Sequence, residues 1–204
     1  MSRAYKFRDQ DRLYFVTFAT VSWIDALTRP QYKDIIVDSI NFCVKNKGLE
    51  VYAWCIMSNH VHMIIGTTGE KMEHILRDLK KFTSRNITQA IIENQQESRR
   101  AWLLYMFEWH GQQNPHNKQY QFWQQDNKPI ELSDNKMMDQ RLHYIHMNPV
   151  KDGIVAEPEH YLYSSALDYA EGKGMIPVVF IEYLPFNNYQ LSYTSKPLSR
   201  DSVW

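Results

Sequence analysis

The spacing of hydrophobic and polar residues along the 204-residue chain predicts alternating strands and helices. Alternating apolar side chains, rich in β-branched and aromatic types, are typical of strands, whereas apolar residues three and four positions apart indicate helices. The predicted strands cover 13–22, 49–57 and 60–66, with a short strand or extended segment at 121–132. Helices are predicted from 31, just after Arg29-Pro30, to the stop at Gly48, from 71 to about 92 and from 133 to Pro149, and an apolar run at 101–107 continues the helical part.

The last helix has the clearest predicted ends. Ser133 or Asp134 supplies an oxygen suited to an N-cap, and Pro149 should end the helix because proline has no amide hydrogen to continue it. The order of elements predicts an α+β fold, a ferredoxin-like sandwich in which a mostly antiparallel central sheet carries helices on one face. We expect one domain over residues 1–186, followed by a loosely ordered C-terminal tail, 187–204.

Composition limits the kinds of partner and location. Lysine plus arginine and aspartate plus glutamate both number 23, so a nucleic acid, which usually requires a basic excess, must be bound by a local patch. No apolar run approaches the ~20 residues of a membrane span, and the N-terminus has no apolar signal-peptide core. We therefore expect a cytoplasmic protein without a membrane partner, in which Cys43 and Cys55 are reduced and buried.

Two histidines lie two positions apart in the third predicted strand, within "AWCIMSNHVHMIIG". Because successive side chains of a strand alternate faces, His60 and His62 share one side, opposite Val61 and Met63, and should occupy the more open face. Their separation of roughly 6 to 7 Å lets both imidazoles turn toward one ion and leaves positions for substrate oxygens. The alternative is a pair of surface or hydrogen-bonding histidines.

The segment "QRLHYIHMNPV", 140–150, offers a partner for this pair. Tyr144 and Asn148 are four residues apart and so share one helix face, where a phenol and a carboxamide would serve as nucleophile and third metal ligand. Tyrosine is a poor nucleophile because its pKa is near 10, and a metal-polarised electrophile would overcome this. His143 and His146 point to other faces and receive no catalytic role, and the alternative for Tyr144 is packing on the sheet.

Three segments together, "MSNHVHMII", "YIHMNPVKDGIV" and "PEHYLYSSA", resemble the single-tyrosine HUH transposases, especially the branch associated with repetitive extragenic palindromes. HUH denotes histidine, a bulky apolar residue and histidine. The resemblance covers roughly residues 10 to 170, and the segments occur in the order typical of the family.

This resemblance implies a mechanism and a set of roles. His60 and His62 would bind a divalent metal, Mg²⁺ or Mn²⁺, with Asn148 as the third ligand. Tyr144 would attack a phosphodiester of single-stranded or hairpin DNA, giving a 5′-phosphotyrosine and a free 3′-hydroxyl that can rejoin another end. The absence of a phosphate-binding loop and of a dinucleotide fingerprint agrees with chemistry that needs no nucleotide. A homodimer is possible, since relatives include dimers as well as monomers.

Single-stranded DNA requires cationic grooves and aromatic platforms. The cations predicted to contact DNA lie at helical spacing in "RDLKKFTSR" and are Arg77, Lys80, Lys81 and Arg85. The aromatic candidates are Trp102, Trp109, Phe122 and Trp123, whose alternative role is in the core. A solvated helix face is the alternative for the cations.

Three other functions are open from the sequence. A replication initiator or relaxase would use the same chemistry, but the chain is short and has no helicase segment. A domesticated DNA-binding protein would keep the fold without cleaving DNA. A metallohydrolase without a covalent step would leave Tyr144 to packing.

Overall fold

The structure of the protein is a computed structural model that describes residues 7–114 and 119–181. The strands are β1 (Tyr14–Ala19), β2 (Leu49–Ile56), β3 (His60–Thr67) and β4 (Ile130–Glu131). The helices are α1 (Pro30–Lys47), α2 (Met72–Glu93), α3 (Arg100–Gln112), α4 (Asn135–Lys151) and the short α5 (Ala166–Tyr169). The predicted boundary at 187 and the tail after it lie outside the described residues.

The four strands form one antiparallel sheet in the order β2-β3-β1-β4. This order, with α1 between β1 and β2 and α2 between β3 and β4, is that of a ferredoxin-like sandwich, so the predicted α+β class is confirmed. The register of β1 against β3 places Thr17 opposite His62 and Ala19 opposite His60. Side chains of opposed residues share a face, so these four residues lie on the same side of the sheet.

Helix α1 ends where glycine is required. Gly48 adopts φ +72°, a left-handed backbone conformation that residues with a side chain rarely adopt. Its backbone amide donates a hydrogen bond to the Cys43 carbonyl. A Cβ added at Gly48 would come within 2.6 Å of the Gly69 backbone nitrogen, because the turn after β3 passes directly beside it. The glycine thus ends α1 and allows the turn at 68–69 to pack against the start of β2.

The long helices cover both faces of the sheet, so the part of the prediction that placed helices on one face was wrong, because α4 packs on the histidine face. On one face the Trp123 ring contacts Phe18 edge to face and donates a hydrogen bond from Nε1 to Thr83 of α2 over 2.9 Å. Helix α1 packs against α2 and β2. Helix α4 lies on the other face, where Tyr144 contacts Phe15 and His62.

The ends of α4 confirm one sequence prediction and correct another. Asp134 is the N-cap, and its side chain accepts a hydrogen bond of 2.8 Å from the Met137 amide. Pro149 does not end the helix, which continues to Lys151. A proline in the last turn removes only its own amide, and the following turn closes through the Asp152 amide, which donates to the Asn148 carbonyl.

Residues 161–165 run along the outer edge of β2. The Ile56 amide donates to the Tyr163 carbonyl over 2.9 Å, the Ser165 amide donates to the Trp54 carbonyl over 2.9 Å, and Cys55 pairs with Ser164 in an antiparallel bridge. The segment therefore protects an exposed strand edge and leads the chain from α4 back to the sheet. Cys43 and Cys55 are both buried free thiols, as expected.

Candidate active site

The two histidines of β3 lie side by side on one face of the sheet, with ring centroids 4.5 Å apart. This face was predicted to be the more open one, but His62 is only 4% exposed, so the prediction was wrong for that residue. The reason is that α4 crosses this face and brings the Tyr144 ring to 5.0 Å from the His62 ring. Phe15, from the neighbouring strand, stacks on His62 at 5.4 Å.

Hydrogen bonds hold both imidazoles in position and set the tautomer of His60. His62 Nδ1 lies 2.7 Å from Thr17 Oγ1, and His60 Nδ1 lies 2.6 Å from Asn59 Oδ1. The Asn59 amide nitrogen donates to Asp25 Oδ1 over 3.0 Å and to a backbone carbonyl over 3.1 Å. Its oxygen must therefore face His60, whose Nδ1 donates the proton and whose Nε2 carries a lone pair.

The remaining nitrogen of His62 fits a metal ion. Its Nε2 is buried and has no hydrogen-bond partner within the described residues, a state that costs free energy unless the lone pair is used. Burial, with the nearby charges of His60 and Arg141, lowers the pKa of His62 to about 3, so the ring is neutral at pH 7. Burial also lowers the pKa of His60, although Asp152 and Asn148 oppose the shift. A neutral imidazole with an unpaired ring nitrogen, such as His62, is the form that binds metals.

Helix α4 brings Tyr144 and Asn148 to the histidines, as the spacing predicted. Tyr144 is 36% exposed while Asn148 is 9% exposed, and the Asn148 side chain is close enough to His60 to raise the pKa of that imidazole against the effect of burial. Two cations flank the tyrosine, because Lys151 Nζ lies 5.5 Å from its ring centroid and the Arg141 guanidinium lies 4.8 Å from the Phe15 ring. Positions 141, 144, 148 and 151 follow one another at intervals of three and four, which is the spacing of a single helix face.

The buried His146 attaches α4 to the sheet rather than joining the histidine pair. Its Nε2 lies 2.8 Å from Ser165 Oγ, which also accepts a 2.9 Å hydrogen bond from the Trp54 amide of β2. Residues 158–166, the third segment of the family resemblance, thus fix the position of α4, which carries Tyr144, relative to β2. His143 is exposed, so neither neighbouring histidine adds a side chain to the pair, as expected.

The cations predicted to bind DNA lie on α2, on the far side of the sheet from His60 and His62. Arg77 pairs with Asp78 at 2.9 Å, while Lys81 and Arg85 are exposed. Lys80 holds the loop before β4, because its Nζ donates to the Gln124 carbonyl and to Asn127 Oδ1, each over 2.7 Å. Burial lowers its pKa to about 8. The structure does not bring these four cations together with the histidines, and their contact with DNA stays a prediction.

The aromatic candidates divide equally between core and surface. Phe122 and Trp123 are buried in the core, whereas Trp102 and Trp109 of α3 are about half exposed. The residues that orient the histidines, Thr17 and Asn59, were not predicted from the sequence, because both act through contacts with imidazoles that only the folded sheet reveals.

Comparison with known proteins identifies the family. The family model described as "Transposase IS200 like" matches residues 14–120, more than half of the chain. The match includes the histidine pair and ends before Tyr144. No curated protein sequence matches the chain. Within the described residues no helix has the length and apolarity needed to cross a lipid bilayer.

Two solved structures are similar to this chain, and the first of them shares its fold. A tyrosine transposase associated with repetitive extragenic palindromes (REP), solved bound to a REP hairpin, superposes with a TM-score of 0.60. The superposed region covers 98% of this chain and 100% of the chain of that transposase, and the two sequences are 17% identical. A protein described as a candidate transposase of Deinococcus radiodurans R1 covers 71% of this chain and 94% of its own, at 20% identity and a TM-score of 0.40. The chain itself, on the strength of the family match, belongs to the IS200-like transposases, which are DNA-processing enzymes.

Proposed function

We propose that this transposase cleaves and rejoins single-stranded DNA at hairpin-forming ends through a covalent bond to Tyr144. The observation that carries the proposal is the pairing of His62 and Tyr144. The imidazole is buried with an unused Nε2, and the phenol that could act beside it lies 5.0 Å away, ring to ring, in the same chain. Most buried side-chain nitrogens in folded proteins are hydrogen-bonded, so an unpaired imidazole nitrogen next to a phenol marks a position where a ligand would be accommodated.

The metal ligands in this proposal are His60, His62 and Asn148. The two imidazoles lie side by side, and Asn148 would add an oxygen donor because its side chain acts on His60 directly. Mixed nitrogen and oxygen donors suit Mn²⁺ better than Mg²⁺, which prefers oxygen alone. When bound, the divalent ion would polarise the scissile phosphate and draw charge from its oxygens.

The protein's own residues would make and break the bonds as follows. The Tyr144 oxygen forms a bond to phosphorus while the phenolic proton leaves to solvent, and the bond from phosphorus to the 3′-oxygen breaks. The departing 3′-oxygen takes up a proton and becomes a 3′-hydroxyl, while the 5′-phosphate remains on the tyrosine. A 3′-hydroxyl from another end can then attack this phosphorus and restore the phenol. Since one ester replaces another, rejoining requires no nucleotide.

The charges around Tyr144 favour this chemistry. Arg141 and Lys151 place two cations on the same face of α4 as the phenol, near the position of an incoming phosphodiester. Cations next to a phenol stabilise the phenolate that develops during attack and attract the phosphate. The residues of one chain are sufficient for this site, so the proposal does not depend on a homodimer.

The test is covalent trapping of DNA. The full chain is incubated with Mn²⁺ or Mg²⁺ and a labelled pool of single-stranded hairpin DNAs with randomised flanks, and products are separated under denaturing conditions. We expect a labelled protein–DNA adduct that disappears in Tyr144→Phe and in His60→Ala. Tyr105→Phe is the matched control, because it removes the phenol of an exposed tyrosine on α3 and should leave the adduct intact.

The other outcomes of this assay correspond to the competing functions. Cleavage without an adduct would indicate a metallohydrolase, in which water replaces Tyr144 as the nucleophile. Binding without cleavage in either metal would indicate a domesticated DNA-binding protein. Either result would contradict the proposed mechanism.

A further inference from the structure

A large aromatic side chain stands exposed beside the histidine pair and has no role in the reaction described so far. Trp23, in the short 3₁₀ turn Val21–Trp23 after β1, places its ring centroid 5.5 Å from that of His60. It is 49% exposed, so burial of apolar surface accounts for only part of its position. A single exposed tryptophan is not unusual in itself, and the backbone around it provides the second observation.

The backbone of this turn is strained. Ser22 has φ 50° and Trp23 has φ 55°, so two consecutive residues with side chains adopt a left-handed conformation. Glycine, asparagine and aspartate are the usual residues in this region, and a bulky residue there is uncommon. Strain of this kind is concentrated at functional sites, where the surrounding structure imposes it.

The turn is held from several directions. The Trp23 amide donates to the Thr20 carbonyl over 3.1 Å, and the Trp23 carbonyl accepts from Asn59 Nδ2 over 3.1 Å. Ser22 Oγ lies 2.8 Å from Nε2 of His110 on α3. The same Asn59 amide fixes the His60 ring through its oxygen, so the positions of Trp23 and of the proposed metal ligand are coupled through one side chain.

We propose that Trp23 is a base-stacking residue that holds an unpaired nucleotide next to the phosphate attacked by Tyr144. The inference rests on the proposed function, because it takes single-stranded DNA as the occupant of the site. Single strands are bound by aromatic rings on which bases stack, and such stacking tolerates any base because every base has a π face. A ring whose backbone is already fixed loses little conformational entropy when a base stacks on it. The base lies beyond His60, and the sugar–phosphate backbone leads back toward Tyr144.

The first test measures hairpin binding in a Tyr144→Phe background, in which no cleavage occurs, with Mn²⁺ present. Trp23→Leu should weaken the Kd about 5- to 150-fold, the range expected for loss of one stacked base, and Trp23→Phe should retain most of the affinity. Trp23→Gly should bind as weakly as Trp23→Leu but unfold at a temperature no lower than that of the parent, since glycine adopts φ 55° without strain. Phe42→Leu, which alters an exposed ring on α1, outside the predicted DNA-binding segment of α2, is the matched control and should not change the Kd.

The second test identifies the base. Each unpaired nucleotide of the hairpin is replaced in turn by an abasic site, and the Kd is measured for the Tyr144→Phe parent and for the same protein carrying Trp23→Leu. At one position the effect of Trp23→Leu should vanish, because the stacking partner is already absent. If Trp23→Leu weakens binding equally at every abasic position, or not at all, Trp23 only covers His60 and the inference is overturned. The binding scan does not require cleavage, so it can fail while wild-type protein still forms the Tyr144 adduct, and the two proposals are distinguishable.

Discussion

Thr17→Val removes the oxygen that orients His62 while keeping the shape of the side chain. Thr17 Oγ1 lies 2.7 Å from Nδ1, and the imidazole is 4% exposed, so water has little access to replace the lost partner. A buried imidazole nitrogen left without its hydrogen-bond partner costs about 1–3 kcal/mol of unfolding free energy. Loss of a partner behind a metal-binding histidine typically weakens the metal affinity about 10–100-fold, equivalent to roughly 1.4–2.7 kcal/mol. We therefore expect both stability and Mn²⁺ affinity to fall.

The assay is titration of the DNA-free protein with Mn²⁺, with free ion detected by electron paramagnetic resonance and unfolding followed in urea. Thr17→Ser is the matched control, because it retains the oxygen and should bind Mn²⁺ within about threefold of the wild type, well inside the 10–100-fold loss expected for valine. If Thr17→Val binds Mn²⁺ as tightly as Thr17→Ser, the hydrogen bond does not orient a metal ligand, and the assignment of His62 would be refuted.

Three further predictions concern the scaffold around the site. Gly48→Ala should lower the free energy of unfolding, measured in urea, by about 1–3 kcal/mol. The reason is that φ +72° is strained for alanine and that the added Cβ would meet the backbone of the turn at 68–69. An unchanged free energy of unfolding would contradict this. Lys80→Met should destabilise the protein by about 1–3 kcal/mol and raise hydrogen exchange at 124–127, since it leaves several acceptors unpaired. His146 gives the pH prediction: burial lowers its pKa to about 4 from 6.5, so between these values the unfolded chain binds the proton more tightly and stability falls as the pH drops. The unfolding free energy should fall by about 3 kcal/mol across this pH range, because each pKa unit of difference is worth roughly 1.4 kcal/mol. In His146→Gln the unfolding free energy should depend less steeply on pH.

The parts of the site that the sequence predicted are those set by local periodicity. Alternation along β3 places His60 and His62 on one face, and the interval of four places Tyr144 and Asn148 on one face of α4. These relations hold within a single element whatever the element packs against. The same reasoning would have found Arg141, which lies three residues before the tyrosine.

The parts that could not be predicted depend on contacts between distant segments. The pairing of Thr17 with His62 requires the register of β1 against β3, a separation of 45 residues. The burial of His62 requires α4 to cross the face of the sheet that carries the histidines. The position of α2 on the opposite face could not be predicted either, because a helical pattern of charges does not show which side of the sheet a helix occupies. The end of α4 was misplaced because Pro149 lies so late in the helix that only one hydrogen bond is lost.

DNA should become bonded to Tyr144 during cleavage, and the position of the bond can be measured. Trypsin releases residues 142–151, "LHYIHMNPVK", a peptide with one tyrosine and no serine or threonine. After trapping with hairpin DNA and nuclease trimming, mass spectrometry should find this peptide carrying a nucleotide through its tyrosine. A nucleotide on any other peptide, or unmodified peptide from protein that has cleaved its DNA, would contradict the account.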